Sequence, residues 1–210
     1  MIEQEELMVK QNKTNSNPPI ITTVGLCRDF HTGGEVVHAL KNVNIEIKPG
    51  KLTVLRGRSG SGKSTLINLL GGLDLPTRGK IYFKGKEVSS MSNSKRERLR
   101  RESFGFIFQS VAIISVMSAY ENVEFGLRIA GFDSKLRKAR AEESLALVGL
   151  AKRMHHRAHE LSGGEQQRVA IARAIAHRPE VIFADEPTAE LDTHMGLQVV
   201  KLFKTLIEKE

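Results

Sequence analysis

The sequence predicts an α/β fold, and three observations carry that prediction. Residues 51–70 read as a short apolar strand, a glycine-rich loop and a helix in immediate succession. Val181-Ile182-Phe183-Ala184 is a continuous apolar run that ends on two acids, as a buried parallel strand does. Short extended runs before residue 50, and a glycine-centred hairpin near residue 85, add an antiparallel sheet beside that core.

The elements follow in chain order. Met1 to Pro19 is polar, ends in Asn17-Pro18-Pro19, and reads as a mobile tail. Ile20 to Phe30 is the first expected strand, with a turn at Gly33-Gly34. Val36 to Leu40 and Val43 to Lys48 are two further extended runs, the second alternating Val43, Ile45, Ile47. Lys51 to Leu55 is short, apolar and β-prone, and is expected as a strand running into the loop. Thr65 to Leu70 has helical spacing, and Gly71-Gly72 ends it. Gly79 to Phe83 and Lys86 to Val88 form a hairpin about Gly85, and Ser94 to Glu102 is a charged helix. Phe104 to Gln109 reads as a strand ending in a polar residue. From Ala119 to about Glu160 the pattern is helical, broken at Gly131-Phe132-Asp133 and at Gly149. Gln166 to Ala176 is a helix stopped by Pro179, and Met195 to Ile207 is a final amphipathic helix. No internal repeat appears.

The loop is the most specific feature. Gly57-Arg58-Ser59-Gly60-Ser61-Gly62-Lys63-Ser64 fills the phosphate-loop pattern G-x-x-x-x-G-K-[ST] without a mismatch. A nucleotide brings several negative charges that must be held without leaving a buried ion unpaired. Glycines let backbone N–H groups turn inward, because no Cβ blocks the approach. Lys63 supplies a mobile cation for the β- and γ-phosphates, and Ser64 a hydroxyl for Mg²⁺. The helix that starts here aims its positive end at the same phosphates.

Composition narrows the setting. With 210 residues and 40% hydrophobic content the chain can bury one core, with or without an inserted subdomain. Cys27 is the only cysteine, which excludes an intrachain disulfide. No apolar run reaches the ~18 residues a membrane span needs. The N-terminus lacks the basic and apolar regions of a signal peptide. Net charge is +8 with a pI near 9.7. Between Lys95 and Glu160 there are 13 Lys/Arg against 8 Asp/Glu, so the excess there is +5. A nucleic acid, an anionic membrane surface and a merely solvated basic face each account for that excess.

Two further constellations sit on the same sheet plan. Leu161-Ser162-Gly163-Gly164-Glu165-Gln166 precedes a helix. It reads either as an anion site of free N–H groups, a hydroxyl and a dipole end, or as a serine N-cap with Glu165 as its capping partner. Asp185-Glu186 follows the apolar strand. A carboxylate there can hold Mg²⁺, and its neighbour can orient and polarise a water for attack on a phosphate. His155, His156 and His159 are loosely spaced among Lys152, Arg153 and Arg157 with no cysteine, and read as a solvated basic turn.

These residues resemble the nucleotide-binding domain of ABC transporters. Leu161 to Gln166 is similar to the family's signature motif, and Val181 to Glu186 to its Walker B strand and catalytic glutamate. Gln109 stands where the Q-loop glutamine is expected, and Ala189-Glu190-Leu191-Asp192 resembles the D-loop. Phe-Ile-Phe-Gln before residue 110, Tyr120-Glu121-Asn122-Val123 and Ala184-Asp185-Glu186-Pro187-Thr188 look most like the macrolide-exporter, lipoprotein-release, bacitracin-resistance and cell-division subgroup. The resemblance implies a P-loop NTPase, RecA-like core with an antiparallel β-subdomain and a helical subdomain inserted at about 110–160. The ATPase domain would span 20–210 after a tail at 1–19.

It also implies roles. Phe30 would stack on adenine. Gly57, Arg58, Ser59, Gly60, Ser61, Gly62, Lys63, Ser64 and Thr65 would hold the phosphates of ATP. Ser162, Gly163, Gly164 and Glu165 of a second subunit, most simply an identical one, would close over the γ-phosphate. Ser64, Gln109 and Asp185 would attend Mg²⁺, and Glu186, Lys63 and Gln109 would carry the chemistry. The implied partner is a transmembrane permease, at the inner face of the cell membrane, with no nucleic acid. A non-transporting regulator of the same chemistry, and a soluble DNA- or ribosome-associated ATPase, are the alternatives. The sequence departs from the pattern in three ways. Glu190 replaces a small or amide residue, and Val111 to Met117 replaces an Asn-Leu-Leu-Pro type of segment. The family's switch histidine, expected after one more strand, does not occur before Glu210. His194, eight positions after Glu186, is not its equivalent. The resemblance therefore implies a shortened chain that binds Mg-ATP and hydrolyses it poorly.

Overall fold

A computed structural model describes residues 17–189 and 191–209. Strand β1 (Ile21–Thr32) turns through Gly33 and Gly34, both at positive φ, into antiparallel β2 (Glu35–Val43). β3 (Glu46–Ile47) also pairs with β1. β4 (Arg78–Phe83) lies on the other edge of β1, and β5 (Lys86–Glu87) closes a hairpin onto β4. The order is β2-β1-β4-β5, with β3 beside β1. Irregularities in the β1–β2 register on either side of Arg28 bend β1. Gly79 is obligatory where β4 crosses β1. A Cβ there would lie 2.3 Å from the Gly25 carbonyl oxygen.

Helix α1 (Lys63–Leu70) lies between β3 and β4 in sequence, and helix α2 (Asn93–Ser103) follows β5. β6 (Phe104–Ile107) then pairs in parallel with β7 (Val181–Ala184), Phe104 opposite Val181 and Ile107 opposite Ala184. The crossover between them is helical: α3 (Ala119–Ile129), α4 (Ser134–Leu147), two short 3₁₀ turns and α5 (Gly163–Ala176). Helix α6 (Thr193–Lys209) follows β7.

Two apolar cores result. One joins Ile21, Leu26, Ile81, Leu69, Phe104 and Phe183 between the antiparallel sheet, α1 and the parallel pair. The other joins Val123, Leu127, Leu145, Val169 and Ile171 among α3, α4 and α5. Phe104 ties the sheets together, edge-on to Phe83 at 5.0 Å and to Phe183 at 5.2 Å.

The structure corrects three expectations about elements. Lys51 to Leu55 is not a strand, and Leu52 and Val54 are 47% and 67% exposed. A strand exists only with a neighbour to take its N–H and C=O groups, and among the described residues none pairs with this segment. β7 is only partly buried, Phe183 alone being fully so, and among the described residues β6 is its only paired neighbour. The extended run 43–48 divides, Val43 completing β2 and only Glu46–Ile47 forming β3.

Candidate active site

The glycine-rich loop is shaped by contacts that admit no side chain. Gly60 and Gly62 have φ of 74° and 87°, in the left-handed region that glycine enters without penalty. A Cβ on Gly62 would stand 2.6 Å from the Ala39 carbonyl oxygen, and one on Gly57 would stand 2.4 Å from Ser61 Oγ. Gly62 caps α1, so the free N–H groups of the first helical turn open into the loop. Lys63 Nζ donates to the carbonyls of Gly57 (3.0 Å) and Arg58 (3.1 Å), which hold the ammonium over the loop's own backbone. Ser64 is exposed one residue further on, with Thr65 beside it. The loop thus offers one cation, two hydroxyls and a helix start to an anion.

Phe30 belongs to the β1–β2 hairpin, opposite Val37. β2 continues to Ala39, which touches Gly62, so the hairpin sets Phe30 on the strand pair that borders the loop. Its ring is 37% exposed, with the Arg28 guanidinium 4.6 Å from the centroid.

Gln109 and Asp185 leave the same end of the parallel pair. Ile107 pairs with Ala184, and the Asp185 N–H donates to the Ile107 carbonyl at 2.9 Å. Glu186 follows, exposed and at φ 47°, an uncommon conformation for a side-chain-bearing residue. Such strain persists only where the surroundings impose it, and it gathers at functional sites.

Ser162 caps α5. Its Oγ accepts from the Glu165 N–H (3.3 Å), and Glu165 accepts from the Ser162 N–H (2.9 Å). This is the capping box foreseen as one reading of these residues, and it leaves the anion reading open because Gly163 has nothing within 4 Å of its Cβ direction. The hydrogen bond from the Ser162 backbone, with the Arg153 guanidinium 3.5 Å away, holds the Glu165 carboxyl below the usual range. Gln167, almost fully buried, donates from Nε2 to the Pro187 carbonyl at 3.2 Å. Leu191 Cδ2 lies 3.2 Å from where a Gly164 Cβ would be. The start of α5 is therefore joined to the segment that begins at Glu186.

The sequence-predicted residues thus assemble in three groups: Phe30 with the loop, Gln109 with Asp185 and Glu186, and the start of α5, where Gly164 meets Leu191 and Gln167 meets Pro187. Among the described residues no hydrogen bond or ion pair links the loop to either other group. They are connected through packing, since Gly71 at the end of α1 leaves room for the Phe106 ring of β6. Glu190 of the expected D-loop lies outside the described residues. Sequence reasoning missed Ala39 and Gln167. Both act through backbone contacts with residues distant in sequence, and neither matches a motif.

Comparison with known proteins identifies the family. The family described as "ABC transporter" matches residues 40–189, most of the chain. The chain belongs to the ABC transporter family. It is an ATP-binding, ATP-hydrolysing domain of that family. An uncharacterised ABC transporter ATP-binding protein of Methanocaldococcus jannaschii is 49% identical over 81% of this chain and 76% of its own length. The macrolide export ATP-binding/permease protein MacB of Wolinella succinogenes is 47% identical over 90% of this chain, which spans only 29% of that protein. Among solved structures, a dimeric post-hydrolysis state of the ATP-binding cassette MJ0796, bound to ADP and Pi, superposes with a TM-score of 0.84. It is 38% identical over 90% of this chain and 83% of its own. The ABC cassette fold therefore positions the three groups described above.

Proposed function

We propose that this chain is the ATPase subunit of a membrane complex, working in pairs and driving movement of a permease. The observation that carries this reading is the loop at 57–64, whose left-handed Gly60 and Gly62 bring the Lys63 ammonium and the free N–H groups of the α1 start together. Phe30 takes the base. The loop N–H groups and Lys63 take the phosphates. Ser64, Gln109 and Asp185 supply hard oxygen donors, the set that suits Mg²⁺ shared with phosphate oxygens. Bound there, Mg²⁺ would neutralise charge on the β- and γ-phosphates.

Glu186 orients a water toward the γ-phosphate and takes its proton. Ser162, Gly163 and Gly164 serve the nucleotide of a second copy, because Gly163 opens onto free space and, among the described residues, no hydrogen bond joins the three to the loop of their own chain. Neither half encloses the γ-phosphate alone, so ATP binding and pairing are linked. Among the described residues no helix is long and apolar enough to cross a membrane. In this reading the permease supplies the membrane anchor, at the inner face.

Replacing Glu186 with Gln tests the proposal. The amide keeps the shape and loses the base, so the variant binds ATP, hydrolyses it far more slowly and accumulates as a nucleotide-bound pair. Size-exclusion chromatography with Mg-ATP reads the pair directly. A variant that binds ATP, stays monomeric and hydrolyses at the wild-type rate would remove Glu186 from this role.

A further inference from the structure

Phe30 is an open ring on a hairpin. It is 37% exposed, and among the described residues no other aromatic ring packs against it. A side chain so placed is free to turn, and any ligand that stacks on it must first order it. What lies against the ring is a cation. The Arg28 guanidinium stands over it, 4.6 Å from the centroid, inside the ~6 Å reach of a cation–π contact.

Arg28 is itself fixed. Its Nη2–H donates to Asp74 Oδ1 at 3.0 Å, and its Nε stands 2.9 Å from Asp74 Oδ2. Both side chains are partly buried, where solvent screens an ion pair less than at the open surface. The carboxylate is held in turn, Oδ1 accepting from the Leu75 N–H at 2.7 Å. Arginine suits the two contacts at once, because its planar fork pairs with a carboxylate while its face stacks on a ring.

The residues on either side of Arg28 are clasped by the same segment. The Asp29 N–H donates to Thr77 Oγ1 at 2.9 Å, and the Thr77 N–H donates to the Cys27 carbonyl at 2.9 Å. These contacts fall where the β1–β2 register breaks, on both sides of Arg28. Residues 74–77 begin just beyond α1, whose Asn68 carbonyl accepts from the Leu73 and Asp74 N–H groups at 2.9 and 3.3 Å. A single helix of eight residues therefore has the phosphate loop at its start and the anchor of Arg28 at its end.

We propose that Arg28 is a positioning residue of the nucleotide site. Pinned by Asp74, its guanidinium occupies one face of Phe30 and holds the ring with the other face presented to the base of ATP. This rests on the reading of Phe30 as the base platform. A ring held in advance spares the nucleotide the cost of ordering it. Because the pin is Asp74, the grip on the base and the grip on the phosphates are carried by the two ends of α1.

Mg-ATP and inorganic tripolyphosphate with Mg²⁺, each titrated calorimetrically against the full chain, separate the two grips. Tripolyphosphate has the phosphates and no base. Arg28→Gln and Asp74→Asn each weaken ATP about three- to tenfold, the scale of one cation–π contact and one side chain to be ordered, and leave tripolyphosphate within about twofold. The two changes together cost no more than either alone. In a Phe30→Ala background Arg28→Gln costs ATP nothing further, a result that an arginine merely bracing the hairpin would not give. Equal loss of both ligands in Arg28→Gln and in Asp74→Asn overturns the proposal and leaves the pair as a brace of the fold. ATP affinity that falls with Phe30→Ala and is unmoved by Arg28→Gln also overturns it, with Phe30 still the platform. ATP affinity unmoved by Phe30→Ala removes the platform itself, and the proposal with it. The Glu186→Gln trap is independent of all these outcomes, so failure here and failure of the ATPase reading are separable.

Discussion

Gly62 and Gly163 look alike in the sequence, each in a glycine-rich stretch opening a helix, yet they face opposite constraints. At Gly62 the backbone is left-handed and the Ala39 carbonyl occupies the place of a side chain. Gly62→Ala therefore costs about 1–2 kcal/mol in backbone strain alone, with the carbonyl clash in addition. The expected result is a lower melting temperature together with weakened ATP binding, read by thermal unfolding with and without nucleotide. At Gly163 nothing lies within 4 Å. Gly163→Ala should leave melting and single-chain ATP affinity unchanged while slowing turnover, because in the proposed pair the added methyl would meet only the nucleotide of a second copy. Equal loss of stability in both variants would contradict this assignment. The phosphate-loop pattern made Gly62 legible in the sequence. The reason for its strictness, an oxygen more than twenty residues upstream, was not.

Helix α5 shows how far a single element can be read from its own residues. Its N-terminal capping box is visible as Ser162 with Glu165 three positions later, because both partners lie in one turn. Its C-terminal anchor is not. His177 Nε2–H donates to the Phe104 carbonyl at 3.0 Å, across a separation only the fold defines. Burial holds the imidazole below its ordinary value of 6.5. The unfolded chain therefore takes up this proton from about pH 6.5 downward, while the folded chain resists until a lower pH. Over that interval the unfolded state binds more protons, so stability falls as pH falls. His177→Gln should make the decline in melting temperature between about pH 7 and pH 5.5 shallower than in the wild type. Identical slopes would place the imidazole in a solvated setting. The segment 51–55 marks the same limit from the other side. Its apolar, β-prone residues promise a strand, but a strand is a property of two segments, and the described residues provide no second one.

At the scale of the molecule, the nucleotide loop and the α5 start belong to different cores. The loop leads into the α1 side chains that pack with both sheets, and α5 packs among the helices. Phe104 and the parallel pair hold the two together. Motif residues carried the overall plan because phosphate chemistry dictates their types at fixed spacing. The clasp on Arg28 escaped the sequence because it joins residues 27–29 to residues 74–77, which only the fold brings together. The hydrogen bond from Gln167 to the Pro187 carbonyl has a consequence for the paired state. In the pair proposed above, the start of α5 would grip the nucleotide of the other copy, while the segment beginning at Glu186 would serve the copy's own. One buried amide thus joins a grip on one ATP to water activation on the other. If both nucleotides favour the same closed pair, the coupling is positive, and linkage makes it mutual: each occupied site then raises the affinity of its twin. ATPase rate plotted against ATP concentration should be sigmoidal, with a Hill coefficient between about 1 and 2, and Gln167→Leu should carry it toward unity. A hyperbolic curve in the wild type would mean two sites firing independently.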